Sequence, residues 1–210
     1  MPNGKELLEF IQLRLQAHRE KPFFAYDIAK VGKCLRYQFL TAHRFQPHTS
    51  DKQNHFDGET IFFEKVHAAL LKRFANTFKA DVVVNIDCRD FSLSGNTDFL
   101  LGDTVLLLKY FENLPQKIPV ETNVSEINLL MYGLRVNIGN LLYYEKSSDQ
   151  FKVFDILFDQ TKVFSDIELY YDLHDFIKHK TLPHCTCSEN ENSELCKNGV
   201  TYWMEITGQY

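Results

Sequence analysis

The sequence predicts an α/β protein built on a central, mainly antiparallel sheet flanked by helices. Three observations carry that expectation. Apolar residues recur at helical spacing in the first third of the chain; from Asp81 to Phe111 they give way to short runs rich in Val, Leu and Phe; and helical spacing returns at Val124, ahead of two further strand-like runs and another helix. The 210 residues, 44% hydrophobic and 24% charged, suffice for one sizeable core, so one domain over 1–210 is expected.

In chain order, KELLEFIQLRLQAHR (5–19) spaces Leu7, Leu8, Ile11 and Leu15 as one helical face, and a second helix is read through YDIAKVGKCLRYQFL (26–40), which carries Cys34. The polar segment 46–58, with Pro47, reads as a loop closing an N-terminal helical part, 1–58. Helix resumes at ETIFFEKVHAALLKRFANTF (59–78), with Ile61, Val66, Ala69, Leu70 and Phe74 as its apolar face. Three consecutive antiparallel strands follow in 81–111, broken at Ser94-Gly95 and at Gly102-Asp103, the latter a tight turn. VSEINLLMYGLRV (124–136) reads as a helix with Ser125 as its N-cap. Two strands about SSDQ fill 140–159, a helix covers 165–180, and the tail 181–210 is short of core residues but rich in cysteine, with SENENSE as a solvated loop.

Net charge is -5, which announces no nucleic-acid binder, although a basic groove would be invisible in this total. The start, MPNGKELLEF, lacks the basic and apolar regions of a signal peptide, and no run approaches the roughly 20 apolar residues needed to span a bilayer. A cytoplasmic protein without a membrane segment is therefore expected. An odd count of five cysteines argues against a disulfide framework. Cys185, Cys187 and Cys196 stand in a polar tail where packing gives no reason for thiols, so with Cys34 they point to a metal centre; Cys88, in the first strand, reads as an inert buried thiol.

Asp98 and Lys109 place opposite charges on the two arms of one apolar hairpin. On alternating side chains Val105, Leu107, Lys109 and Phe111 share a face, and a lysine there needs a carboxylate, a phosphate or water as partner. A plain Asp–Lys ion pair is one explanation. Taken singly, His67 reads as a core histidine and Tyr132 as a packed ring with its hydroxyl bonded.

In order along the chain, DIAKVGKCLRYQFL, GETIFFEKVH, GNTDFLL, VLLLKY, INLLMYGL and LPHCTCSENENSELC resemble the PD-(D/E)XK nuclease superfamily, and within it the RecB-like iron–sulfur branch that includes CRISPR-associated exonucleases and the AddB nuclease domain. The resemblance implies a metal-dependent DNA nuclease. His67 and Asp98 would hold Mg²⁺ or Mn²⁺, Lys109 would assist the attacking water, and Asn128 and Tyr132 would face the substrate strand, single or free-ended. Cys34, Cys185, Cys187 and Cys196 would bind a [4Fe–4S] cluster stapling the two chain ends, with zinc as the alternative and His184 as a substitute ligand.

Two positions depart from the pattern. Leu107 stands where the E-x-K glutamate belongs, and Asn128 replaces the glutamine four before the tyrosine; Glu126 is the nearby carboxylate able to stand in. Leu107 thus favours a second reading, a non-cleaving relative that binds DNA or a CRISPR or recombination protein. A third is an interaction module with a structural zinc site. The sequence leaves homo-oligomers open.

Overall fold

The computed structural model describes residues 24–43, 53–187 and 193–208. Six strands form one mixed sheet: β1 (Phe24–Asp27), β2 (Phe78–Asp87), β3 (Phe91–Leu101), β4 (Thr104–Phe111), β5 (Ile138–Glu145) and β6 (Gln150–Leu157). Among the described residues, five α-helices accompany it: α1 (Leu35–Ala42), α2 (Gln53–Phe74), α3 (Glu121–Leu134), α4 (Gln160–Lys178) and α5 (Ser193–Thr207). The β2–β3, β3–β4 and β5–β6 pairs are antiparallel, as expected, whereas β1–β3 and β4–β5 are parallel. The expected helix over 5–19 lies outside the described residues.

β3 organises the sheet. β2 runs along one of its edges, from Asp87 opposite Ser92 to Phe78 opposite Leu101. Its other edge is divided: β1 occupies the start, with Asp27 opposite Ser94, and β4 the end, with Phe99 opposite Leu106. Gly95 and Asp98 sit where these two partners part. A Cβ on Gly95 would stand 2.9 Å from Ile28 Cβ, so the absence of a side chain there lets the turn after β1 close onto β3.

Two apolar layers cover the sheet. One face packs Val84, Leu93, Val105, Leu107 and Leu141 under Ile127, Leu130 and Met131 of α3 and Tyr170 of α4, while the other packs Phe99, Leu106 and Leu108 under Phe62 of α2. Val105 and Leu107 belong to the first layer and Leu106 and Leu108 to the second, as the two-residue period of β4 requires.

Local chemistry corrects several boundaries. The expected helix over 26–40 begins only at Leu35, because Tyr26 and Asp27 pair with β3 and Asp27 then caps a 3₁₀ turn at Ile28–Lys30 through its bond from Ala29 N. Of the expected loop 46–58, residues 53–58 are already helical. On α2, among the side chains described, Phe62 is buried and Val66 and Leu70 pack against the same cluster as expected, while Ile61 and Phe74 are exposed, so part of the expected apolar face is used. Ser94-Gly95 lies inside β3; the chain reverses instead just after β2, where Cys88 N bonds Phe91 O. Ser125 is buried inside α3, donating to Asp166, and the helix starts at Glu121 after Val120. The tail contributes to the core after all: Cys196 and Trp203 of α5 are buried, with Trp203 edge-on to Phe39 of α1. Among the described residues, no helix is long and apolar enough to cross a membrane.

The fit of α3 on the sheet yields a first prediction. A Cβ on Gly133 would overlap Val84 Cγ1 and crowd Ile86. Alanine gains about 1 kcal/mol in helix propensity, but forced overpacking costs about 1–3 kcal/mol. Gly133→Ala is therefore expected to lower the urea midpoint, and an unchanged or higher midpoint would show that α3 is free to shift.

Candidate active site and thiolate centre

Asp98 sits at the parting of β1 and β4, and its Oδ2 accepts the backbone N–H of Leu108 at 2.6 Å. That bond satisfies an amide of β4 that no strand partner of β3 reaches, the last backbone pair being Phe99–Leu106. Burial pushes the Asp98 carboxyl up to about 6, against the Leu108 N–H and Lys109, which favour the anion; the nearby Glu126 and Asp81 carboxylates add to the rise.

Lys109 projects to the α3-covered face, where its Nζ donates to Glu126 Oε2 at 2.6 Å. Glu126 is 7% exposed and the Lys109 side chain 25% exposed, so the pair lies at a site that solvent reaches from one side. Both charges need this contact, since a buried carboxylate without a cation would be costly. Position 107, where the resemblance calls for a carboxylate, is filled by a leucine packed in the core on the same face. The helix opposite thus brings in an acid where the strand lacks one. Glu126 was legible in the sequence only as a stand-in, because its distance from Lys109 depends on how α3 crosses the sheet.

The remaining expected site residues fall elsewhere. The His67 ring stacks with Phe63 and Phe99 and lies tilted against Phe78 on the α2-covered face, apart from the Lys109–Glu126 pair. Asn128 is buried with both ends of its amide used: Nδ2 donates to Val124 O and Oδ1 accepts Asp159 N, fixing the entry to α4. Tyr132 is exposed, lies parallel to Phe158, and lines an open cleft with Asn85, Asp87 and Arg135.

The four cysteines named from the sequence converge. Cys34, just ahead of α1, meets Cys185 and Cys187 from the segment after α4 and Cys196 from α5, with all four sulfurs within 4.8 Å of one another. Among the described residues this is the group of His, Cys, Asp and Glu side chains placed to share an ion. Arg36 Nε donates to Pro183 O at 2.7 Å and pins the segment carrying Cys185 to α1. Burial opposes ionisation of Cys34, yet the Thr186 and Tyr37 backbone N–H groups draw its thiol down to about 6; burial pushes Cys187 up to about 11 and Cys196 further. Sulfurs this close cannot all ionise unless a cation lies among them, so the donor set fits a metal centre. Cys88 stands outside the group, its thiol raised by burial and by Asp87.

No family model matches the chain, and no curated protein matches it in sequence. Solved structures do match in fold. SSO0001 superposes with a TM-score of 0.59 at 14% identity, over 80% of this chain and 85% of that one. A phage-related exonuclease from Haemophilus somnus 129PT gives 0.52 at 8% identity, over 70% of this chain and 81% of that one. At these identities the likeness is one of architecture: the chain carries the mixed, helix-flanked sheet of SSO0001 and of a phage-related exonuclease.

Proposed function

We propose that this chain is a metal-dependent DNA nuclease of the RecB-like type, acting on single-stranded or free-ended DNA, with Asp98 and Glu126 as its acidic ligands and Lys109, paired with Glu126, as its catalytic lysine. The carrying observation is that Lys109 pairs with Glu126 while Asp98, on the neighbouring strand, accepts the N–H of Leu108 next to Lys109 and feels the charge of both members of the pair. The fold shared with a phage-related exonuclease supports it.

Two carboxylates and a lysine suit phosphodiester hydrolysis. Bound Mg²⁺ or Mn²⁺ would supply an activated water and neutralise phosphate charge. Lys109, with one N–H engaged by Glu126, keeps two donors for the attacking water or a phosphate oxygen. Leu108 N–H holds the Asp98 carboxylate in a fixed orientation. Tyr132 offers an exposed ring on which a base could stack, and Asn128 positions the start of α4 instead of touching DNA. His67 serves packing against Phe99 in this reading.

Leu107 favours the second reading, a relative that binds DNA or a CRISPR or recombination protein without cutting. End-labelled single- and double-stranded DNA incubated with the full chain and Mn²⁺ separates the two. Cleavage is expected, falling on the order of 100-fold in Asp98→Asn, Glu126→Gln and Lys109→Ala. Wild-type protein that binds DNA in a salt-sensitive way but never cuts it would establish the non-cleaving reading.

A further inference from the structure

The geometry of the four sulfurs points to a single tetrahedral Zn²⁺ in the thiolate centre, and we propose this in place of the [4Fe–4S] cluster implied by the sequence resemblance. The inference is independent of the nuclease reading. Cys34 Sγ stands 3.9 Å from both Cys185 Sγ and Cys196 Sγ, and Cys187 Sγ 3.5 Å from Cys196 Sγ. Four thiolates each about 2.3 Å from one ion form a tetrahedron with edges of about 3.8 Å. The observed separations bracket that edge, and the whole set fits within 4.8 Å.

A cubane asks for something else. Each of its thiolates binds a different iron at a different corner, so the sulfurs lie outside an inorganic core and stand farther apart than sulfurs around one ion. A C-x-C step spans up to about 7 Å of chain, so Cys185 and Cys187 can reach either centre, and the sulfur separations decide between them. Thr186, the residue between, turns its backbone N–H onto Cys34 Sγ at 3.5 Å, a bond that favours the thiolate. The centre joins α1, the segment after α4, and α5.

The test is elemental analysis of the full chain, expressed with iron and zinc both supplied and purified without oxygen. One zinc per chain, no acid-labile sulfide and a colourless solution are expected. Titration with a mercurial thiol reagent should release that zinc as four thiols react. Replacement by Co²⁺ should give the intense visible bands of a tetrahedral tetrathiolate site. Zinc should be lost in Cys34→Ser and Cys196→Ser and kept in Cys88→Ala; where the first two fail to fold, the titration of wild-type protein decides. Brown protein with iron and labile sulfide, a single iron without sulfide, or no bound metal would each overturn the proposal.

Discussion

Metal-free Asp98→Asn protein is expected to be more stable than the parent at pH 7 and above, and no longer stabilised by Mn²⁺. The reason is the Asp98 carboxyl, raised by burial from 3.8 to about 6. A carboxyl with a raised native pKa binds its proton more tightly folded than unfolded, so its ionisation disfavours the native state. The sign follows: stability in the metal-free parent should fall as pH rises from about 4 through about 6, and the deficit is complete above that window. A shift of this size corresponds to at most about 3 kcal/mol. Asparagine removes the charge and keeps an oxygen for the Leu108 N–H, so the variant should lack this descent. With Mn²⁺ the order should reverse, because binding to the native state stabilises the parent alone. Urea melts between pH 4 and 8, with and without Mn²⁺, measure both effects. Parallel pH profiles for the two proteins would show that Asp98 is not held in an unfavourable charged state.

Leu107→Glu is expected to destabilise metal-free protein by about 3 kcal/mol or more. Leu107 is 2% exposed and packed beneath α3, pairing across the sheet with Leu141 of β5. A glutamate there would also add a third carboxylate near Asp98 and Glu126, with Lys109 already engaged. The informative background is Glu126→Gln. Removing the acid from the helix should abolish Mn²⁺ binding, and Leu107→Glu in that variant should restore part of it, since position 107 shares the face of Lys109. Calorimetric titration of Mn²⁺ into the single and double variants reads the exchange. A folded double variant that binds no better than Glu126→Gln would show that a side chain at 107 does not reach the ion.

The site is legible in the sequence to the extent that its logic is local. The strands of β3 and β4 announced themselves through Val, Leu and Phe runs about Gly102-Asp103, and strand periodicity alone placed Leu107 and Lys109 on one face. The four cysteines could be selected, and Cys88 set aside, because thiols in a polar tail have no packing reason to be there.

What the tertiary structure decided depends on contacts between distant segments. Glu126 meets Lys109 across 17 positions, through the angle at which α3 crosses the sheet, and no spacing rule encodes that angle. His67 and Asp98 lie on different sides of the sheet because α2 covers the face opposite α3: Phe62, Phe63, Val66 and Leu70 of α2 pack with Phe99 and Leu106, and His67 stacks on Phe99. Asp27 joins a strand rather than a helix because β3 offers it a free edge. The sequence determined the candidate ligand types and the strand alternation, which follow from backbone periodicity and side-chain chemistry; the tertiary structure decided which of those residues meet, because that depends on how whole elements bury their apolar faces against one another.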